Sequence, residues 1–257
     1  MKKLRLIDTG INNAPWNMSI DEALLYNFKD DSLPILRLYQ WENSLSFGRF
    51  SKVYNHISKE RLTEISYVRR VTGGGILVHG GDISYSIILP KNFVDKLGIK
   101  KSYLYLCSFL IHFYKTVGFD AKFAIESNIK YTSSDICLNG NEPYDIVINN
   151  KKIGGNAQRY SKQTVFQHGM IPMNFDENIF EPLFLEESGL KNTATLSKLG
   201  FDESYDNLKK ILLESFSKSF SCELLDDDLN ENEIKQAKEL FKNKYSLDSW
   251  NIDGKIN

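Results

Sequence analysis

Three stretches of the chain gather residues able to do chemistry on a ligand. The first, VRRVTGGGILVHGG (residues 68–81), sets Arg69 and Arg70 ahead of Gly73, Gly74 and Gly75, with His79 close behind. Each glycine loses more backbone freedom on folding than alanine would. Such a run therefore fits a loop whose main-chain N–H groups approach a ligand closely. The arginines add a permanent planar cation beside it. The spacing is neither a Walker A loop nor GxGxxG, and taken alone it reads equally well as a glycine-rich connection with two surface arginines.

The second stretch is YDIVINNKKIGGNAQ (residues 144–158). A lysine placed directly after a turn and before paired glycines can point into a cleft while the backbone beside it stays open. The ordinary alternative is that Lys151 and Lys152 are both solvated turn residues. Gln167-His168-Gly169 follows closely, although a histidine on a strand is more often packed than catalytic. The third is Cys137, in the polar loop SSDICLNGNEPYD (residues 133–145). A loop thiol near cations can act as a nucleophile once its thiolate is stabilised. Cys107 falls on the apolar face of a helical pattern and reads as core, and Cys222 stands in a polar stretch.

These residues need a scaffold, and the composition provides for one. The chain has 257 residues, 42% hydrophobic and 25% charged, as in an average globular protein and unlike a disordered or fibrous one. With 32 basic and 33 acidic side chains the net charge is −1, which argues against nucleic acid or an anionic membrane as partner. Three scattered cysteines fit neither a disulfide framework nor a closed zinc site, and no metal site is expected. MKKLRLIDTG has too short an apolar stretch for a signal peptide, so a cytoplasmic protein is expected.

Along the chain, Asn17 is positioned to cap a helix burying Ile20, Ala23, Leu24 and Phe28. Residues 34–40, 66–70 and 82–89 read as strands. Tyr103, Cys107, Leu110, Ile111, Tyr114 and Val117 mark a helix ended by Gly118. DIVIN, a turn at Asn149-Asn150 and Ile153 onward predict a β-hairpin, because Asn tolerates positive φ. From about Phe180 the pattern turns helical, with Asn230 and Glu233 spaced as a capping box, and Asp226–Asp228 reads as a solvated approach to that helix. The expectation is a catalytic domain over residues 1–180 and a helical C-terminal extension over 181–257.

Taken in series, RRVTGGGILVH, YDIVINNKKIGGNAQR and QHGMI resemble the lipoate–protein ligase and octanoyltransferase superfamily, relatives of biotin ligase. WNMSIDEALL and LSFGRFSK match the same family, so the resemblance covers roughly residues 5–175. It implies an α+β fold, a mixed, largely antiparallel sheet flanked by helices. It also implies roles: Lys152 as the essential lysine that stabilises the acyl oxyanion, and Arg70 with Gly73, Gly74 and Gly75 as the loop over the acyl group. His79, Gly155, Ala157 and His168 would complete the acyl and donor site.

Within the superfamily, ligases use ATP and Mg to form lipoyl-adenylate. Octanoyltransferases take octanoate from acyl carrier protein and need no cofactor. Both modify a lysine of a lipoyl-domain protein, the glycine cleavage H protein or a dehydrogenase E2 subunit. Cys137 stands nine residues before Ile146, as the nucleophile does in the CxxxPxxYE[LI] pattern of the cysteine-dependent transferases of Gram-positive type. The His79–Tyr85 interval and the tail KYSLDSWN resemble those enzymes too. The triple glycine, where they carry TGGR and then HD, and a proline two places late are ligase-like departures. The transferase is the leading expectation and the ATP-dependent ligase the alternative. A third reading is a non-catalytic acyl- or carrier-binding module, whose simplest signature, loss of Lys152, is absent.

Overall fold

The computed structural model describes residues 2–127, 129 and 142–255. It opens with β1 (Lys3–Asn12), α1 (Ala14–Asn27), β2 (Ile35–Trp41), β3 (Ser44–Phe47), β4 (Ser66–Arg69), β5 (Leu77–His79) and β6 (Asp82–Pro90). Next come α2 (Gly98–Thr116), β7 (Lys122–Phe123), β8 (Ile146–Ile148), β9 (Lys151–Lys152), β10 (Gly155–Tyr160) and β11 (Thr164–Pro172). The chain closes with α3 (Glu177–Phe180), α4 (Tyr205–Phe220), β12 (Glu223–Asp227), α5 (Glu231–Leu240), a π-helical turn Phe241–Tyr245 and α6 (Asp248–Asn251).

The main sheet runs β10-β11-β6-β2-β1-β12. The four strands from β10 to β2 are antiparallel neighbours, while β1 pairs in parallel with both β2 and β12. Two three-stranded sheets, β4-β3-β5 and β7-β8-β9, complete an α+β fold of largely antiparallel pairing.

Side chains alternate across a strand, and here the alternation separates stability from chemistry. Odd positions of β6 (Ile83, Tyr85, Ile87, Leu89) join Leu36 and Leu38 of β2 in a core covered by α2 and α4. Three even positions are polar and equally buried: Asp82, Ser84 and Ser86 face the side of the sheet covered by α1, where Ile88 is the apolar exception. Arg37, Tyr39 and Trp41 of β2 and His168 of β11 lie on that same side, with Arg37 and His168 both registered against Ser86.

Several expectations need correction. The cap of α1 is Asn13, whose side chain accepts from the Trp16 N–H at 2.9 Å. Asn17 sits inside the helix, fully buried, and its amide donates to the Gln40 carbonyl at 2.9 Å. Pro15 opens that helix one turn earlier than the apolar periodicity indicates. The acidic run is solvated and leads to the cap of α5 as expected, but Asp226 and Asp227 also end β12, where Asp227 binds Arg5 at 2.6 Å. Arg5 reaches Glu233 of α5 at 2.7 Å as well, so a single guanidinium ties β1, β12 and α5 together. The hairpin and the capping box stand as expected. Asn149 and Asn150 have φ of 51° and 62°, and Glu233 and Asn230 cap each other reciprocally at 2.9 and 3.0 Å.

Residues beyond 180 supply β12 of the main sheet and α4, which shares with α2 the covering of one side. Phe216 of α4 is fully buried and meets Phe109 of α2 edge to face at 5.1 Å. Phe216→Ala is expected to cost about 3–5 kcal/mol, the range for truncating a buried phenylalanine. In chemical denaturation the midpoint should fall at unchanged slope, with one transition for the whole chain. A second transition would mean that residues 181–257 unfold as a unit of their own.

Candidate active site

A narrow cleft opens on the polar side of the sheet, with about 30 Å³ of room for water-sized groups. Of the residues singled out from the sequence, Arg70, Gly73, Gly74, His79, Gly155, Ala157 and His168 line it together. Gly75 stands just behind, its carbonyl accepting from Arg70 Nη2 at 2.8 Å.

Each histidine bridges a carboxylate and a hydroxyl. His79 Nδ1 lies 3.3 Å from Asp82 Oδ2, and its Nε2 lies 2.7 Å from Ser46 Oγ. Arg70 Nη1 donates to the same Ser46 Oγ at 2.6 Å. His79 stacks on Trp41 at 4.1 Å, and Trp41 Nε1 donates to Ser84, which in turn donates to Asp82.

His168 Nε2 lies 2.7 Å from Thr72 Oγ1, and its Nδ1 is 3.7 Å from Asp21 Oδ2, an electrostatic approach rather than a hydrogen bond. Burial pushes the His168 pKa down more than Asp21 pulls it up, so the ring is held neutral. Asp21 itself is fully buried; burial opposes its charge, but Arg37 at 2.7 Å leads the terms that keep its pKa below the usual carboxylate value.

Arg70 shapes the glycine-rich loop by binding the carbonyls of Gly73 and Gly75. Gly74 has a φ of +93°, a conformation L-residues rarely adopt, so glycine is required there by the backbone. The segment Gly48–Ser51 backs this loop: Gly48 N donates to Gly75 O at 3.2 Å and Arg49 N to Thr72 O at 2.7 Å. A Cβ on Gly48 would overlap the Gly74 carbonyl oxygen, so the two glycines are packed backbone to backbone.

Lys152 stands apart from the residues lining the cleft. It is buried on β9 and its Nζ pairs with Asp145 Oδ2 at 2.8 Å. Ile153 and Gly154 connect it to β10, whose Gly155 and Ala157 do line the cleft. Cys137 lies outside the described residues. Cys107 is fully buried, its thiol pushed well up by desolvation, in keeping with a core role. Sequence reasoning missed Asp21, Arg37, Trp41, Ser46, Thr72 and Asp82. The alternating polar residues of DISYS were the available signal for Asp82 and its strand neighbours. Among the described residues no group of three or more His, Cys, Asp or Glu could hold a metal ion. No helix among them is long and apolar enough to cross a membrane.

Residues 13–225 match the family model described as the lipoyl protein ligase A/B catalytic domain. The chain is 32% identical to the octanoyltransferase LipM of Clostridioides difficile, over 98% of this chain and 99% of the relative. It is 30% identical to the octanoyltransferase LipM of Halalkalibacterium halodurans, over 98% and 99% respectively. A crystal structure of lipoate-protein ligase A bound with ATP superposes with a TM-score of 0.83 at 25% identity, covering 98% of both chains.

The neutral His168 gives the fold a pH dependence. Its folded pKa lies below its ordinary value of 6.5, so below that pH the unfolded chain binds the proton more readily. Its contribution to stability is fully present above pH 6.5 and is lost as pH falls from there through the folded pKa. In thermal unfolding against pH, His168→Gln should flatten the loss that begins at pH 6.5. An unchanged acid limb would mean that the ring is not held neutral.

Proposed function

The chain belongs to the lipoyl protein ligase A/B catalytic domain family, and on that premise we propose that it is an octanoyltransferase of protein lipoylation. It moves an octanoyl group to a specific lysine of a lipoyl-domain protein, either a glycine cleavage H protein or a dehydrogenase E2 subunit. The donor is octanoyl-acyl carrier protein. Similarity over nearly the whole chain to proteins named octanoyltransferase is the observation that carries this reading.

The chemistry runs in two steps. The Cys137 thiolate attacks the carbonyl carbon of the octanoyl thioester; a tetrahedral oxyanion forms and collapses, expelling the carrier's thiolate. The neutral amine of the acceptor lysine then attacks the Cys137 thioester. An amide forms, the cysteine leaves as thiolate, and the proton the amine gives up balances, through solvent, the carrier thiolate expelled in the first step. The first step exchanges one thioester for another and is nearly balanced in energy, so no nucleotide is required.

Lys152 stabilises the oxyanion. Its ammonium, paired with Asp145 at 2.8 Å, is a buried cation next to β10, whose Gly155 and Ala157 line the cleft. The negative charge that grows on the carbonyl oxygen is worth more to a fixed cation in a buried site than in water. Arg70 and the glycine-rich loop hold the donor's carbonyl end, and the cleft beneath them, walled by Trp41, Leu77 and Met170, takes the alkyl chain.

Lys152→Gln keeps an N–H for Asp145 while removing the cation, so folding by circular dichroism should be unchanged. Transfer to an apo lipoyl domain should fall about 100- to 1000-fold, as when an oxyanion donor is removed, and Lys151→Ala should retain activity. Near-normal turnover by Lys152→Gln would remove the lysine from the chemistry.

Incubation with octanoyl-carrier protein, without acceptor or ATP, should add one octanoyl mass to the peptide containing Cys137. Cys137→Ser should abolish both adduct and transfer. Transfer that requires ATP and lipoate and survives Cys137→Ser would instead establish a ligase, the reading that the triple glycine and the ATP-bound structural relative favour.

A further inference from the structure

The tail KYSLDSWN and the residues after it lie outside the cleft and are held at two points, each next in sequence to a residue of the site. At one, Lys244 Nζ pairs with both carboxylate oxygens of Glu22 at 2.6 and 2.8 Å, and Tyr245 O–H donates to Glu22 at 2.6 Å. All three groups are buried, and Lys244 also lies 3.8 Å from the centre of the Trp250 ring. Glu22 adjoins Asp21, which faces His168.

At the other point the tail is held by Arg69, the neighbour of Arg70. The Arg69 guanidinium is buried and makes five hydrogen bonds among the described residues, each to a main-chain carbonyl oxygen. Two of the acceptors belong to the tail, Trp250 and Ile252; three belong to the segment Gly48, Arg49 and Ser51. The main chain of Arg69 is fixed from the same side, its N–H donating to Asn251 Oδ1 at 3.0 Å and its carbonyl accepting from Trp250 Nε1 at 2.9 Å. Arg49 donates to the Gly254 carbonyl at 3.0 Å.

The segment Gly48–Ser51 therefore has two sides. Its carbonyls are gathered by Arg69, and its N–H groups at Gly48 and Arg49 hold the carbonyls of Gly75 and Thr72. A continuous series of hydrogen bonds runs from the tail through Arg69 and this segment to the glycine-rich loop.

We propose that the C-terminal segment Lys244–Gly254 is a positioning element of the donor site, with Arg69 as the residue through which it sets the glycine-rich loop. The proposal rests on that loop binding the acyl donor. A guanidinium can serve carbonyls on several sides at once because its five N–H groups are spread in a rigid fork; an ammonium has three donors at one point. Without the tail, two of the acceptors that orient Arg69 are gone, and the backing of the loop loosens.

The experiment compares the full-length protein with Arg69→Lys, with Asn251→Ala and with a chain ending at Leu247. The first readout is amide hydrogen exchange of the peptide spanning residues 72–77. It should rise about tenfold or more in each variant, while peptides from α2 and α4 stay protected. The second is a kinetic split: the KM for octanoyl-carrier protein should rise about tenfold with kcat within about threefold, since the tail touches no reacting atom. A synthetic peptide of residues 248–255 added to the shortened chain should restore protection. Unchanged exchange over 72–77 in Arg69→Lys would overturn the proposal. If Arg69→Lys does not fold, unchanged exchange in Asn251→Ala and in the shortened chain would overturn it equally. Exchange is read without any donor, so a wild-type protein that turns over no octanoyl donor would sink the functional reading and leave this test intact.

Discussion

The ion pair between Arg37 and Asp21 is the constraint around which the rest is arranged. Both side chains are completely buried, 2.7 Å apart, in the interface between α1 and the sheet. An unpaired charge at such a depth is strongly unfavourable, so each partner needs the other and each needs its remaining hydrogen bonds made. Arg37 meets this with Thr9, Asn17 and Asp21; Asp21 meets it with Arg37, Ser86 and Tyr39. The polar side of the sheet follows from these demands. Serines stand on β6 where apolar residues would otherwise pack, and His168 is held beside a carboxylate that keeps its charge. The cleft sits on ground that cannot be made uniformly apolar without orphaning a charge.

That arrangement also marks the limit of what the sequence discloses. The glycine-rich loop, the hairpin turn at Asn149-Asn150, the helix over the Tyr103–Val117 pattern and the Asn230–Glu233 capping box carry local signatures, because turns, caps and amphipathic faces are decided by neighbouring residues. Seven of the residues singled out from the sequence line one cleft. Asp21 and Arg37 carry no such signature: a buried carboxylate in IDEALL reads the same as a solvated one, and only pairing across β2 and α1 reveals it. The sequence ELLDD has no β-branched or aromatic residue, so β12 depends on pairing with β1 rather than on its own propensity. Asn17 misled for a related reason, since a residue suited to capping is equally suited to bonding a carbonyl of a neighbouring strand.

Ligation and transfer differ in how the acyl group is activated more than in where it is held. A nucleotide-dependent enzyme must make its own activated donor; a transferase receives one already activated as a thioester. Both need a carbonyl fixed near a cation and an apolar channel for the chain behind it. The cleft lined by Arg70, Gly73, Gly74, Trp41, Leu77 and Met170 is the place we propose for that shared requirement. In the transfer we propose, the distinction falls on a nucleophile, the role assigned there to Cys137, and not on the shape of the cleft.

The pleat of β6 has a further consequence. Because neighbouring side chains point to opposite faces, a slip of one residue against β2 or β11 would drive Asp82, Ser84 and Ser86 into the apolar core. The same slip would turn Ile83, Tyr85, Ile87 and Leu89 toward Arg37 and Asp21. No compact misregistered state can satisfy either side. The strand is thus its own proofreader: a molecule that has closed its core has, by that act, already assembled the polar floor of its cleft.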